Sequence, residues 1–130
     1  MTMLQVRHRA TSVLVFVEFS IAAVYAFYQP FIPPNTVSVV AYIERLGAPV
    51  WVIAFALVGS LLMAARITKK RLVQAHTLCF GVAVFYACAL WAGALLSDPV
   101  RITASAALAP ALCVAHYALS RWYAAEDPRK

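Results

Sequence analysis

The stretch Arg66-Ile67-Thr68-Lys69-Lys70-Arg71 is a dense cluster of cations set between two long apolar runs. Four cations in so short a loop keep it out of hydrocarbon, and the positive-inside rule assigns it to the cytoplasmic face. The run before it must then descend towards the cytoplasm, and the run after it must ascend again.

Composition says what kind of solvent the chain expects. Of its 130 residues, 64% are hydrophobic and only 12% charged, with a formal charge of +6. Its mean hydropathy is +0.79. Soluble domains are about half apolar and about a quarter charged, so this chain has too little polar surface to cover a water-facing globule. An integral membrane protein is expected, with the lipid bilayer as its principal partner. The positive charge does not point to nucleic acid, because the cations flank apolar runs and form no stripe interleaved with stacking aromatics.

Four membrane spans are predicted, over residues 11–32, 49–66, 73–97 and 101–123, and about 20 apolar residues suffice to cross a bilayer core. Between the first two, residues 35–47 predict a short amphipathic helix: Asn35 or Thr36 can cap it, and Gly47 with Pro49 stops it. It is too short to span and is expected to lie on the outer surface, facing it with Val37, Val40 and Ala41. Trp51 is expected at the outer interface, and Trp122 and Tyr123 at the inner one. Glu18 interrupts what would be the core of a cleavable signal peptide, so the first run is expected to stay as a span.

Arg7, Arg9, Arg66, Lys69, Lys70, Arg71, Arg121, Arg129 and Lys130 then fall inside, and only Arg45 and Arg101 outside. The predicted fold is an all-α integral membrane four-helix bundle, one domain, in the cytoplasmic (inner) membrane with both termini cytoplasmic.

Glu18 is the most informative residue. It stands about eight residues into the first span, roughly 12 Å deep by helical rise. A carboxyl group at that depth faces the bundle interior by default and marks a pathway or a partner. Two histidines, His76 and His116, fall in the same cytoplasmic half, and His116 shares a helical stripe with Ser105, Ala109, Leu112 and Ser120. Glu18, His116 and His76 are therefore the candidate proton or ion site; equally, they can be buried polar contacts that fix helix register. A haem held between the two histidines, or a Glu-His-His zinc site, has no further support in the spacing. Cys79, Cys88 and Cys113 lie inside apolar runs and read as small hydrophobes. No cofactor or metal is expected.

Small residues mark where helices approach closely: Gly59 and Ser60 in the second span, Ala89 and Gly93 in the third, Ala107, Ala111 and Ala115 in the fourth. Pro110 should bend the fourth span by removing a bond to the Ala106 carbonyl. There is no phosphate loop, nucleophile with a local base, or ligand spacing, so no enzyme is expected.

The four spans, the basic inner loop and the tail Glu126-Asp127-Pro128-Arg129-Lys130 resemble small multi-span membrane proteins of actinobacterial phages, some of them holin-like. That resemblance implies a non-enzymatic protein that self-associates, as a homo-oligomer, and permeabilises the cytoplasmic membrane. Glu18 in the first of four short spans is also similar to the small multidrug-resistance transporters, which implies a proton-coupled transporter that uses this carboxylate. A third expectation is an accessory or anchor subunit of a larger membrane complex.

Overall fold

A computed structural model describes residues 3–28, 39–44, 49–96 and 103–125, and their regular structure is all helical. The helices are α1 (Met3–Tyr28), α2 (Val39–Glu44), α3 (Val50–Thr68), α4 (Leu72–Leu95) and α5 (Ala104–Ala125). Three segments, Gln5–Phe27, Val50–Thr68 and Leu72–Leu95, are long and apolar enough to cross a membrane. With 22 residues α5 has the length, but Ser105, His116, Ser120 and Arg121 make it less apolar than the others.

Local chemistry accounts for the ends. Thr103 caps α5: its hydroxyl accepts from the Ala106 amide at 3.1 Å and its carbonyl from Ala107 at 3.1 Å. Pro110 lies inside α5 without ending it. The turn from α3 to α4 puts Lys69 (φ 54°) and Arg71 (φ 57°) in the left-handed region, where a side chain is strained and glycine is not. Thus the basic loop also holds the two positive-φ non-glycine residues among those described.

α1 packs on α3, α3 on α4, and α4 on α5. At the end carrying the basic loop, Leu14, Val58, Leu62, Ala65, Leu72, Ala75, Cys79 and Leu119 form one apolar cluster. At the other end Ala22, Val40, Trp51, Phe55, Tyr86, Ala87, Ala89 and Ala109 form a second. Glu18 falls on α1 between Leu14 and Ala22, and His116 on α5 between Ala109 and Leu119, so both sit where the clusters meet. Large side chains such as Val13, Phe16, Ile53, Leu57, Phe85 and Leu108 are exposed on the outward faces. Water would not tolerate so much apolar surface, whereas lipid covers it.

Two local expectations change. α1 begins at Met3, well before residue 11, so Arg7 and His8 are helical, and Arg7, expected among the cations outside the span, is buried. Trp51 is also buried, because α2 folds over it: its indole N–H donates to the Val40 carbonyl at 3.3 Å and its ring meets Tyr86 edge-on at 5.1 Å. Of the helix expected over residues 35–47, residues 39–44 are helical and the flanking 35–38 and 45–47 lie outside the described residues, as does the tail from Glu126.

Candidate functional site

Helical periodicity builds the site. The buried residues Arg7, Thr11, Leu14, Glu18 and Ala22 recur at three- and four-residue intervals along α1, so Thr11 and Glu18 share one face two turns apart. On α5, His116 and Tyr123 have the same spacing. On α4, His76 and Cys79 lie one turn apart, both buried. Three helices thus aim polar side chains at one strip of the interior.

Those side chains make a continuous chain of hydrogen bonds. Glu18 Oε1 lies 2.8 Å from His116 Nε2. His116 Nδ1 lies 3.1 Å from His76 Nδ1, and His76 Nε2 lies 3.2 Å from Thr11 Oγ1. Thr11 Oγ1 in turn lies 3.0 Å from the Tyr123 hydroxyl. Glu18, His116, His76 and Thr11 are fully buried, and Tyr123 is half-buried. The chain runs from the meeting of the two clusters to the end that carries the basic loop. There Arg7 places its guanidinium carbon 5.2 Å from the centre of the Tyr123 ring and 5.4 Å from that of Trp122. Arg66 Nε donates to the His8 carbonyl at 3.4 Å beside it.

Donor and acceptor chemistry lets this chain be polarised in two opposite ways. An ionised Glu18 can only accept, so His116 Nε2–H donates to it and His116 Nδ1 becomes an acceptor. His76 Nδ1–H then donates to His116, His76 Nε2 accepts from the Thr11 hydroxyl, and Thr11 accepts from Tyr123. A protonated Glu18 reverses every bond: it donates to His116 Nε2, His116 Nδ1–H donates to His76, and so on out to Tyr123. One proton entering at the Tyr123 hydroxyl while one proton moves along each bond converts the first arrangement into the second, with both imidazoles changing tautomer and no heavy atom moving; the reverse shift returns that proton at Tyr123.

The remaining surroundings of Glu18 are tight. Its Oε2 is buried and has no hydrogen-bond partner among the described residues. Gly59 makes the crossing of α1 and α3 possible there, since a Cβ at that position would stand 3.1 Å from Glu18 Cβ. Cys79 Sγ, Glu18 and His116 have ligand atoms all within 4.8 Å of one another. Beyond Glu18, away from the basic end, a cleft of about 360 Å³ opens between α1 and α5, with Ser20, Tyr25, Tyr86 and Ser105 among its lining. The Tyr25 and Tyr86 hydroxyls are 3.0 Å apart at its wall. A smaller space of about 200 Å³, sharing Val17, Ile21, Tyr86 and Ser105, adjoins Leu112, one turn from His116.

Glu18, His116 and His76 therefore come together as one cluster, and the direct bond between the two imidazoles leaves no room for an iron atom between them. Thr11, Tyr123 and Cys79 join them; the sequence treats these as span filler, interface aromatic and small hydrophobe, and only the sevenfold spacings Thr11/Glu18 and His116/Tyr123 signal otherwise. Of the small residues, Gly59 and Ala89 are buried, Gly93 and Ala115 half-buried, and Ser60, Ala107 and Ala111 exposed, with Ser60 Oγ donating to the Ala56 carbonyl at 2.7 Å. Arg66 is half-buried and Lys69, Lys70 and Arg71 are exposed. No protein-family model, curated protein or solved structure matches the chain.

Proposed function

We propose that this is a proton-translocating membrane protein, non-enzymatic, with Glu18 as the group that takes up and releases the proton. The observation that carries the reading is the unbroken run of hydrogen bonds from Tyr123 through Thr11, His76 and His116 to Glu18. A purely structural contact needs one partner for Glu18; five groups in series, each both donor and acceptor, are what a proton relay requires. In this reading the chain crosses the cytoplasmic membrane four times with both termini inside, following the cation asymmetry. The relay then connects Glu18 with the cytoplasm, and the cleft between α1 and α5, which begins next to Glu18 at Val17 without being lined by it, is the approach from outside in this reading. Ser20, Tyr25, Tyr86 and Ser105 give that cleft polar groups, and its volume admits water.

The test is proton uptake into vesicles reconstituted with the purified protein under an imposed membrane potential. Wild type is expected to carry a proton flux that Glu18→Gln abolishes while remaining folded. Equal fluxes in the two would end the proposal.

A second reading, holin-like self-association, is favoured by one observation: Ala107, Ala111 and Ala118 are exposed along α5, a surface on which a second helix can approach closely. Expression beside a cytosolic cell-wall hydrolase tests it. Abrupt depolarisation followed by lysis supports it, and intact potential with normal growth refutes it.

A further inference from the structure

We infer that Glu18, Cys79 and His116 form a binding site for a divalent transition-metal ion, and that the ion competes with the relayed proton for the same atoms. The competition rests on the proton-relay reading; the site itself rests on geometry.

Three kinds of donor converge from three helices: a carboxylate from α1, a thiol from α4 and an imidazole from α5. Their ligand atoms lie within 4.8 Å of one another and all three residues are buried. Metal bonds of about 2.0–2.3 Å to nitrogen, oxygen and sulfur draw such a trio together with only side-chain adjustment. One of these donors is under-used and another is weakly held. Glu18 Oε2 is buried without a hydrogen-bond partner among the described residues. The Cys79 thiol donates to the Val58 carbonyl at 3.7 Å, a weak bond that an ion would replace. The orphaned Glu18 oxygen is the kind of uncompensated group that an ion satisfies.

The second layer is also in place. A histidine that ligates through one nitrogen is normally held by a hydrogen bond through the other. His116 offers Nε2 to the site and has Nδ1 3.1 Å from His76 Nδ1. His76 is anchored in turn by Thr11. With His116 in its Nδ1–H tautomer, this layer orients the ligand.

Charge selects the ion. A divalent cation bound by one carboxylate, one thiolate and one neutral imidazole has zero net charge, the least costly state in an apolar interior. Loading from the protonated site breaks the Glu18 O–H and Cys79 S–H bonds and forms metal–oxygen, metal–sulfur and metal–nitrogen bonds. Two protons leave to the medium and no electron moves. The thiolate and imidazole favour zinc-like ions over magnesium or calcium. Because the ion takes His116 Nε2 and the Glu18 carboxylate, it removes the first link of the relay.

Cobalt(II) titration of the full chain in lipid nanodiscs tests the site. A thiolate-to-cobalt charge-transfer absorption is expected, saturating at one ion per chain. It should persist in the double variant Cys88→Ser/Cys113→Ser and vanish in Cys79→Ser. If Cys79→Ser does not fold, the double variant decides alone, since Cys79 is then the sole thiol. His76→Phe should weaken cobalt binding about ten-fold by removing the supporting layer. No charge-transfer band in wild type, or its loss in the double variant, overturns the inference. Zinc added to proton-flux vesicles is expected to suppress the flux. A cobalt band without any flux would uphold the site and sink the relay; flux that saturating zinc leaves untouched, with no band, would do the opposite.

Discussion

Replacing Thr11 by valine exchanges one hydroxyl for a methyl group and leaves the side-chain shape almost unchanged. That oxygen is the joint between His76 Nε2 at 3.2 Å and the Tyr123 hydroxyl at 3.0 Å. A proton passes only between heteroatoms in hydrogen-bond contact, so Thr11→Val cuts the relay near the basic end and leaves the Glu18–His116–His76 portion in place. Two consequences can be sized separately. Hydrogen bonds between membrane helices contribute about 0.6 kcal/mol each on average and up to about 1.7, so losing two costs the fold roughly 1–3 kcal/mol. Transfer across the gap forfeits a bridge worth about 4–6 kcal/mol in an apolar medium, which at 1.36 kcal/mol per decade slows the flux by about three to four orders of magnitude. The assay is proton uptake into vesicles, normalised to folded protein and paired with a thermal melt. Thr11→Ser, which keeps the oxygen, should restore most of the flux. Wild-type flux in a folded Thr11→Val protein would refute the route through Thr11, and failure of Thr11→Ser to rescue would show that the hydroxyl is not what mattered.

Gly59→Ala and Gly81→Ala should have opposite signs. A Cβ at Gly59 stands 3.1 Å from Glu18 Cβ, an atom tethered directly to the α1 backbone, so α1 must move and about 1–3 kcal/mol is lost. A Cβ at Gly81 meets nothing within 4 Å and gains up to about 1 kcal/mol of helix propensity. Melting temperatures of the two variants check both. Lys69→Gly relieves a left-handed residue at the end of α3 and should stabilise by up to about 1 kcal/mol. Because it also removes a cation from the basic loop, reporter fusions to the termini should show weaker control of orientation; unchanged melting would refute the strain argument. Glu18→Gln should abolish flux while keeping one acceptor for His116, so its melting shift should be smaller than its flux effect.

Much of this was legible in the sequence, for reasons that sort by residue. Glu18, His76 and His116 announce themselves because charge or imidazole in an apolar run has few ways to be satisfied, and all three fall in the same half of their spans. The helical stripe through Ser105, Ala109, Leu112, His116 and Ser120 is likewise read from spacing; Ala109, Leu112, His116 and Ser120 turn inward, whereas Ser105, near the start of α5, is exposed. Thr11 and Tyr123 are harder. A threonine in a span usually bonds its own helix, as Thr77 Oγ1 does to the Val73 carbonyl at 2.9 Å. A tyrosine at a span end usually marks an interface. Only their sevenfold spacing from Glu18 and His116 separates them from that background. Cys79 is silent for a different reason: its role depends on which helices become neighbours, and α4 meeting α1 and α5 around one point is a tertiary fact. Trp51 misleads for the same cause, since α2 folding over it turns an interfacial residue into a core one.

The relay reading and a purely structural reading agree on what each bond is worth to the fold and differ on whether a proton travels. Proton flux in vesicles that hold purified protein, with wild type beside Glu18→Gln at matched folded amounts, measures that difference directly. The relay predicts flux in wild type well above that of protein-free vesicles and none above it in Glu18→Gln. Wild-type vesicles no leakier to protons than lipid alone, with the protein folded, would contradict it.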